Sequence, residues 1–224
     1  IDKGREIHAQ IVQEGSLEQN DIIGTALVDM YAKCGDITKA QQVFDRLSVQ
    51  NIVSWTALIA GYAHLGGHDM VCNTFDKMIA KGITPNLITF TVVLNACNHL
   101  GLLEKGQMYF EAMGNTYGII STVEHLTCMV DLFGRAGNFD KAVEIVKKME
   151  SACCDHRPLW ISLLGSCQKW RNMEVGRWAF EHVVRLDETR ASGTYACMSN
   201  IYAAADMQAK ANKLEALRMK SEAW

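Results

Sequence analysis

The feature that most constrains this chain is its similarity to itself. Four stretches superpose without gaps: VDMYAKCGDITKAQQVFDRL, IAGYAHLGGHDMVCNTFDKM, LNACNHLGLLEKGQMYFEAM and VDLFGRAGNFDKAVEIVKKM. Glycine recurs in one register at Gly35, Gly66, Gly101 and Gly137. A mostly small residue follows at Ala40, Val71, Gly106 and Ala142, where two helices must approach closely. A large apolar residue comes next at Phe44, Phe75, Phe110 and Val146, then Leu47, Met78, Met113 and Met149. Self-similarity at a fixed period is the signature of a stacked-repeat architecture.

One unit shows why the period is helical. Trp55 with Ile59, and Leu58 with Tyr62, stand four residues apart and make a first helix apolar on two flanks. Leu65-Gly66-Gly67 breaks it, because glycine takes the left-handed conformation that ends helices. Val71, Phe75, Met78 and Ile79 mark one face of a second helix, which Gly82 and Pro85 terminate. A single hairpin cannot bury both flanks, so the units must stack. The expected fold is an all-α solenoid, a right-handed superhelix of antiparallel helical hairpins.

Composition narrows the function. The chain has 49% hydrophobic and 21% charged residues and only two prolines, which is globular and helix-compatible. No window nears the ~18 apolar residues of a membrane span, which predicts a soluble chain. The net charge is −3, so any nucleic-acid binding must rest on base contacts and local charge rather than on wholesale phosphate neutralisation. Eight cysteines contain no C-x-x-C pair, and Cys153-Cys154 are adjacent. Cys34, Cys72, Cys97, Cys128, Cys167 and Cys197 fall in helical patterns, as small hydrophobes in a reducing compartment would. Neither H-x-E with P-C-x-x-C, nor a phosphate loop, nor a recognisable triad is present. The reading is therefore no catalytic residue, no metal ligand, no cofactor and no membrane partner.

The spacing of first-helix starts divides the chain unequally. Residues 1–20, with Gly4 and His8 in the second-helix register, read as the back half of a long repeat; 21–51, 52–86 and 87–122 are units of 31, 35 and 36 residues. A further short unit covers 123–156, and two divergent units cover 157–190 and 191–224. Because the first unit is incomplete, the chain reads as part of something longer.

This alternation resembles the PLS subfamily of plant pentatricopeptide repeat proteins. GREIHAQIVQEG is similar to the tail of a long repeat, and TALVDMYAKCGDITKAQQVFD to a short one. NIVSWTALIAGYA is similar to a standard repeat, and FTVVLNACNHLGLLEKGQMYFEAM and VEHLTCMVDLFGRAGNFDKAVEIVKKM to the last long and short repeats. WISLLGSC and YACMSNIYAAA resemble the two TPR-like E motifs that follow. The stretch 150–158 departs, with a small insertion and without the usual Met-Pro start.

The resemblance implies a module that binds single-stranded RNA in a mitochondrion or chloroplast and directs cytidine-to-uridine editing nearby. Such modules read one base per repeat, here through the fifth and last residues, with an apolar second residue sandwiching the base. Carried over, the readers are Thr25 with Asn51, Thr56 with Asn86, Thr91 with Thr122, and Thr127 with Asp155; Ile22, Val53 and Ile88 are the sandwiching residues. Glu124 departs from that last pattern. In the family code both Thr/Asn pairs prefer adenine and Thr/Asp guanine, while Thr/Thr is not interpreted, so the expected core is 5′-A-A-N-G-3′. Residues 157–224 are expected to contact a DYW-type deaminase, supplied by a further domain or a partner, or other editing factors.

Plainer roles were weighed beside these. A threonine near a helix start commonly caps it or faces solvent. Trp55, Trp160 and Tyr62 are expected in the core rather than as stacking platforms, and His8, His64, His99 and His125 in turns or core. The cluster Lys169, Arg171, Arg177, Arg185 and Arg190 is interleaved with Glu174, Glu181, Asp187 and Glu188 and reads as a solvated face. The alternative function is a TPR-like protein-interaction scaffold without RNA specificity, which shares the hairpin plan.

Overall fold

The computed structural model describes residues 2–13, 20–150, 157–186 and 192–222. The described residues form thirteen α-helices and no strand. They fall into two compact units, residues 1–120 and 121–224.

In the first unit, α1 (Asp2–Gln13) precedes three hairpins: α2 (Asp21–Lys33) with α3 (Ile37–Asp45), α4 (Ile52–His64) with α5 (His68–Ala80), and α6 (Leu87–Leu100) with α7 (Leu103–Asn115). In the second, α8 (Val123–Arg135) pairs with α9 (Phe139–Glu150), α10 (Arg157–Trp170) with α11 (Met173–Leu186), and α12 (Ser192–Ala204) with α13 (Gln208–Glu222). Within each unit the first helices pack on one another in series, α2 on α4 on α6 and α8 on α10 on α12, and each also packs on its own second helix. This is the solenoid arrangement.

The hairpin turn repeats in detail. At the shared register φ is 81° at Gly35, 71° at Gly66, 66° at Gly101 and 79° at Gly137. The backbone N–H of the glycine and that of the next residue then turn back onto the carbonyls that the helix leaves unpaired, as Gly35 N does on Ala32 O at 3.1 Å and Asp36 N on Tyr31 O at 3.0 Å. The last two hairpins make the same turn without glycine: Arg171 has φ 52° and Asp206 φ 59°. Left-handed backbone costs a side-chain-bearing residue about 1 kcal/mol, less for aspartate, whose short polar side chain tolerates it better than arginine does.

The core alternates helix faces as the periodicity predicts. Ala40, Val71, Gly106 and Ala142 are all buried, and Phe44, Phe75 and Val146 lie beneath them. Phe44 meets Trp55 edge-on at 4.7 Å, and Trp55 and Trp160 are core residues. One position differs from expectation. Phe110 is only half-buried, and its neighbour Tyr109 takes the core place, packing edge-on against Phe75 at 4.9 Å. Periodicity cannot choose between two adjacent rings on one flank; the shape left open by Phe75 does.

Buried Cys72, Cys97, Cys128 and Cys167 sit in this core and half-buried Cys197 at its edge, while Cys34 is exposed. Burial pushes the Cys97 and Cys167 thiols up to about 12 and Cys128 up to about 11, so these sulfurs stay protonated and apolar at neutral pH. Cys153 and Cys154 lie outside the described residues. Among the described residues no helix is long and apolar enough to cross a membrane.

Candidate nucleic-acid interface

The first helices of the residue 1–120 unit begin alike. Asn20, Asn51 and Asn86 cap α2, α4 and α6 with their side-chain oxygens. Asn51 Oδ1 accepts from Val53 N at 2.9 Å and Ser54 N at 3.0 Å; Asn86 Oδ1 accepts from Thr89 N at 3.0 Å. Asparagine is favoured here because its side chain satisfies donors that the first helical turn leaves orphaned. In α4 the cap leaves the Asn51 amide nitrogen facing the start of the preceding first helix.

The threonine five residues into that preceding helix meets it. Asn51 Nδ2 donates to Thr25 Oγ1 at 3.2 Å across 26 residues of chain. The loop leading to Asn51 is held by Asp21, which accepts from Ser48 Oγ and from Val49 N at 3.3 Å. In the next repeat the link has an extra member. Thr56 Oγ1 lies 2.9 Å from Thr89 Oγ1, and Thr89 Oγ1 donates to Asn86 Oδ1 at 3.1 Å. Thus Thr25 and Asn51 touch directly, and Thr56 and Asn86 are joined through Thr89.

Beside each pair stands an exposed apolar residue on the first turn of its helix. Ile22 is 79% exposed, Val53 58% and Ile88 63%. Burying an apolar side chain is worth about 1.5–3 kcal/mol, so three left in water at one register of successive helices form a surface with something to gain from a flat apolar partner. Polar groups that present fixed donors and acceptors lie next to them.

The remaining candidates are placed less uniformly. Thr91 Oγ1 donates back to Leu87 O at 3.0 Å, and Thr127 Oγ1 to Val123 O at 2.7 Å, both within their own helix. Thr122 caps α8, with its hydroxyl 2.7 Å from His125 Nδ1 and its backbone N–H donating to the same nitrogen at 3.2 Å. Glu124 is exposed at the register of Ile22, Val53 and Ile88. Asp155 lies outside the described residues.

Sequence reasoning missed Thr89, and placed His125 in turn or core without its contact to the cap. Both stand three residues after a capping residue, the spacing of a capping box, in which cap and third residue satisfy each other's backbone donors. That spacing was the available signal. Of the four histidines expected in turns or core, His8 and His125 are buried and His64 and His99 exposed at helix ends. Among the described residues no group of three or more metal-ligating side chains could hold a metal ion.

Comparison with known proteins bears on this surface. The model described as PPR repeat family matches residues 50–99, and that described as PPR repeat matches 25–52, 88–115 and 124–154, together more than half of the chain. Pentatricopeptide repeat-containing protein At4g16470 of Arabidopsis thaliana is 40% identical over 214 residues, which is 96% of this chain and 42% of that protein. The mitochondrial protein At2g03880 of the same plant is 40% identical over 91% of this chain and 31% of its own length. The chain therefore spans less than half the length of these relatives. Among solved structures, PPR10 from maize superposes with a TM-score of 0.68 at 20% identity, covering 88% of this chain and 29% of that one. PPR10 in complex with an 18-nt psaJ RNA element gives 0.57 at 19% identity, with 90% and 28% covered. The PPR domain of Arabidopsis thaliana protein-only RNase P 1, in complex with tRNA, gives 0.58 at 23%, with 71% and 86% covered. Those likenesses show a common fold. With its stacked hairpins, its repeat matches and its relatives, the chain belongs to the pentatricopeptide repeat family.

Proposed function

We propose that this chain reads single-stranded RNA one base per repeat, as the targeting module of an organellar cytidine-to-uridine editing factor. The observation that carries the reading is the recurring group at the starts of α2 and α4: an exposed apolar residue beside a threonine hydroxyl linked to the capping asparagine of the next first helix. The apolar side chain can lie against a base face while hydroxyl and amide address its edge. Charge alone cannot do this, and at a net charge of −3 the chain is not built as a general phosphate binder.

The resemblance adds the content of the message. Thr25 with Asn51 and Thr56 with Asn86 are taken to read adenines, Thr91 with Thr122 an unassigned base, and Thr127 with Asp155 a guanine, giving 5′-A-A-N-G-3′ upstream of the edited cytidine. Ile22, Val53 and Ile88 are the sandwiching residues in this reading. Residues 157–224 serve as the adaptor toward a DYW-type deaminase, from a further domain or a partner. The RNA seen with PPR10 and with the RNase P PPR domain, and the mitochondrial names of several relatives, support the RNA and organellar parts of the proposal.

Binding of the purified chain to short RNAs carrying A-A-N-G, with each position swapped in turn at two salt concentrations, tests it. Swapping either adenine is expected to weaken binding about tenfold, a change of about 1.4 kcal/mol. Asn86→Asp keeps the helix cap and is expected to move the second adenine preference toward guanine. Uniform weak binding that vanishes with salt would leave only phosphate contacts. No binding would point to the protein-interaction scaffold.

A further inference from the structure

The two reading pairs use the same residue types but not the same protons. In the first, Thr25 Oγ1 accepts the Asn51 Nδ2 proton, so its own hydroxyl proton remains available. In the second, Thr89 Oγ1 reaches Asn86 Oδ1 at 3.1 Å, an oxygen that can only accept, and Thr56 Oγ1 at 2.9 Å, where either hydroxyl can donate. Both contacts are filled together when Thr89 donates to Asn86 Oδ1 and the Thr56 proton takes the 2.9 Å contact. Thr56 consequently offers only lone pairs outward, and the Asn86 amide, whose oxygen is taken by Thr89, has its N–H groups to offer. Thr89 is fully buried and cannot touch RNA; its backbone N–H donates to Asn86 Oδ1 at 3.0 Å, and its hydroxyl oxygen also accepts the Asn86 backbone N–H at 3.4 Å.

The equivalent residue of the preceding first helix behaves otherwise. Ser54 donates its hydroxyl to the main-chain oxygen of Asn51 at 2.8 Å, which leaves the Asn51 side chain free to reach Thr25. We infer that the third residue of each following first helix is a positioning residue that sets the hydrogen-bond polarity of the preceding pair, and that Thr89 makes the Thr56–Asn86 pair the more selective for adenine. Adenine presents an amine donor beside a ring-nitrogen acceptor. A fixed acceptor at Thr56 with fixed donors at Asn86 complements that edge and opposes guanine, whose O6 and N7 both accept. The Thr25 hydroxyl can turn its proton toward either base. This inference rests on the RNA reading proposed above.

The test measures the adenine-to-guanine affinity ratio at each of the two adenines of A-A-N-G RNA with the full chain. In the wild-type chain the ratio at the second adenine should exceed that at the first by about three- to tenfold, the range one hydrogen bond spans. Thr89→Val, which keeps shape and removes the hydroxyl, should bring the second ratio down by that factor and leave the first unchanged. Thr89→Ser should restore it. Equal ratios in the wild-type chain, or a Thr89→Val chain that binds all RNAs more weakly with both ratios intact, would overturn the inference while the RNA reading stood. A wild-type chain indifferent to base at both positions would overturn both. The wild-type asymmetry needs no variant, so the test survives a Thr89→Val chain that folds poorly.

Discussion

The two units share one hairpin plan and differ in what it carries. In residues 1–120 every hairpin turn sits on a glycine, and each following first helix opens with a capping asparagine and an exposed Ile or Val. In residues 121–224 the corresponding exposed positions are Glu124, Pro158 and Gly193, and two of the three turns are made by Arg171 and Asp206. The core of the second unit has also changed character. Trp160 stacks on His182 at 4.1 Å and meets Trp178 edge-on at 4.6 Å, with Phe180 against Tyr195 at 5.3 Å. Packing tolerates such changes as long as each hairpin keeps its two apolar flanks; the surface proposed to meet RNA does not, because that role needs particular atoms. The same fold can therefore keep its core without the capping asparagines and exposed Ile or Val of the first unit.

Removing the ring at the centre of the second unit's core is the harshest way to probe that contrast. Trp160→Ala should cost about 3–5 kcal/mol in denaturant unfolding, by lost transfer and the cavity left behind. A cost below about 1 kcal/mol would mean the Trp160, Trp178 and His182 cluster is not what holds these hairpins.

Exchanging the surface residues is a sharper comparison. Val53→Glu places in the first unit what Glu124 places in the second, and should weaken A-A-N-G RNA binding about tenfold if the proposed reading holds, since an apolar base contact would be replaced by a negative charge. Glu124→Val should strengthen binding by about threefold. No change in either variant would separate these positions from the RNA.

Acidification should distinguish the units through His8. This histidine is the buried residue of α1, with Nδ1 2.9 Å from Tyr31 Oη. Burial, followed by the nearby positive charges of Lys39 and Arg46, holds its pKa below the ordinary 6.5. The unfolded chain therefore takes up the proton first, and the stability from docking neutral His8 is complete above about 6.5 and is lost as pH falls below it. The midpoint of thermal unfolding for the first unit should drop over that window, and His8→Phe should flatten the drop. An unchanged slope would show that α1 docking does not depend on a neutral ring.

The smallest effect makes the turns alike. Arg171→Gly relieves a left-handed conformation and should raise the stability of the second unit by about 1 kcal/mol, set against the greater entropy glycine gives the unfolded chain. A loss of stability would mean that the Arg171 side chain contributes more than its backbone costs.

The sequence by itself determined the hairpins and their order. Glycine at one register in four hairpins, an apolar residue at each turn of a helix and an asparagine before α2, α4 and α6 act over a few residues, so they are legible wherever they stand. The pairing of Thr25 with Asn51 followed from register with the resemblance, and the structure joins those two side chains. Tertiary structure decided the rest. Which ring fills the pocket beside Phe75, and how closely α4 lies on α2, where a Cβ on Gly61 would come within 2.9 Å of Ala32 Cβ, are set by the shape of elements that meet only when folded. So is the contact of the Thr56 and Thr89 hydroxyls at 2.9 Å, because those residues are 33 apart in the chain and meet only when α4 packs on α6.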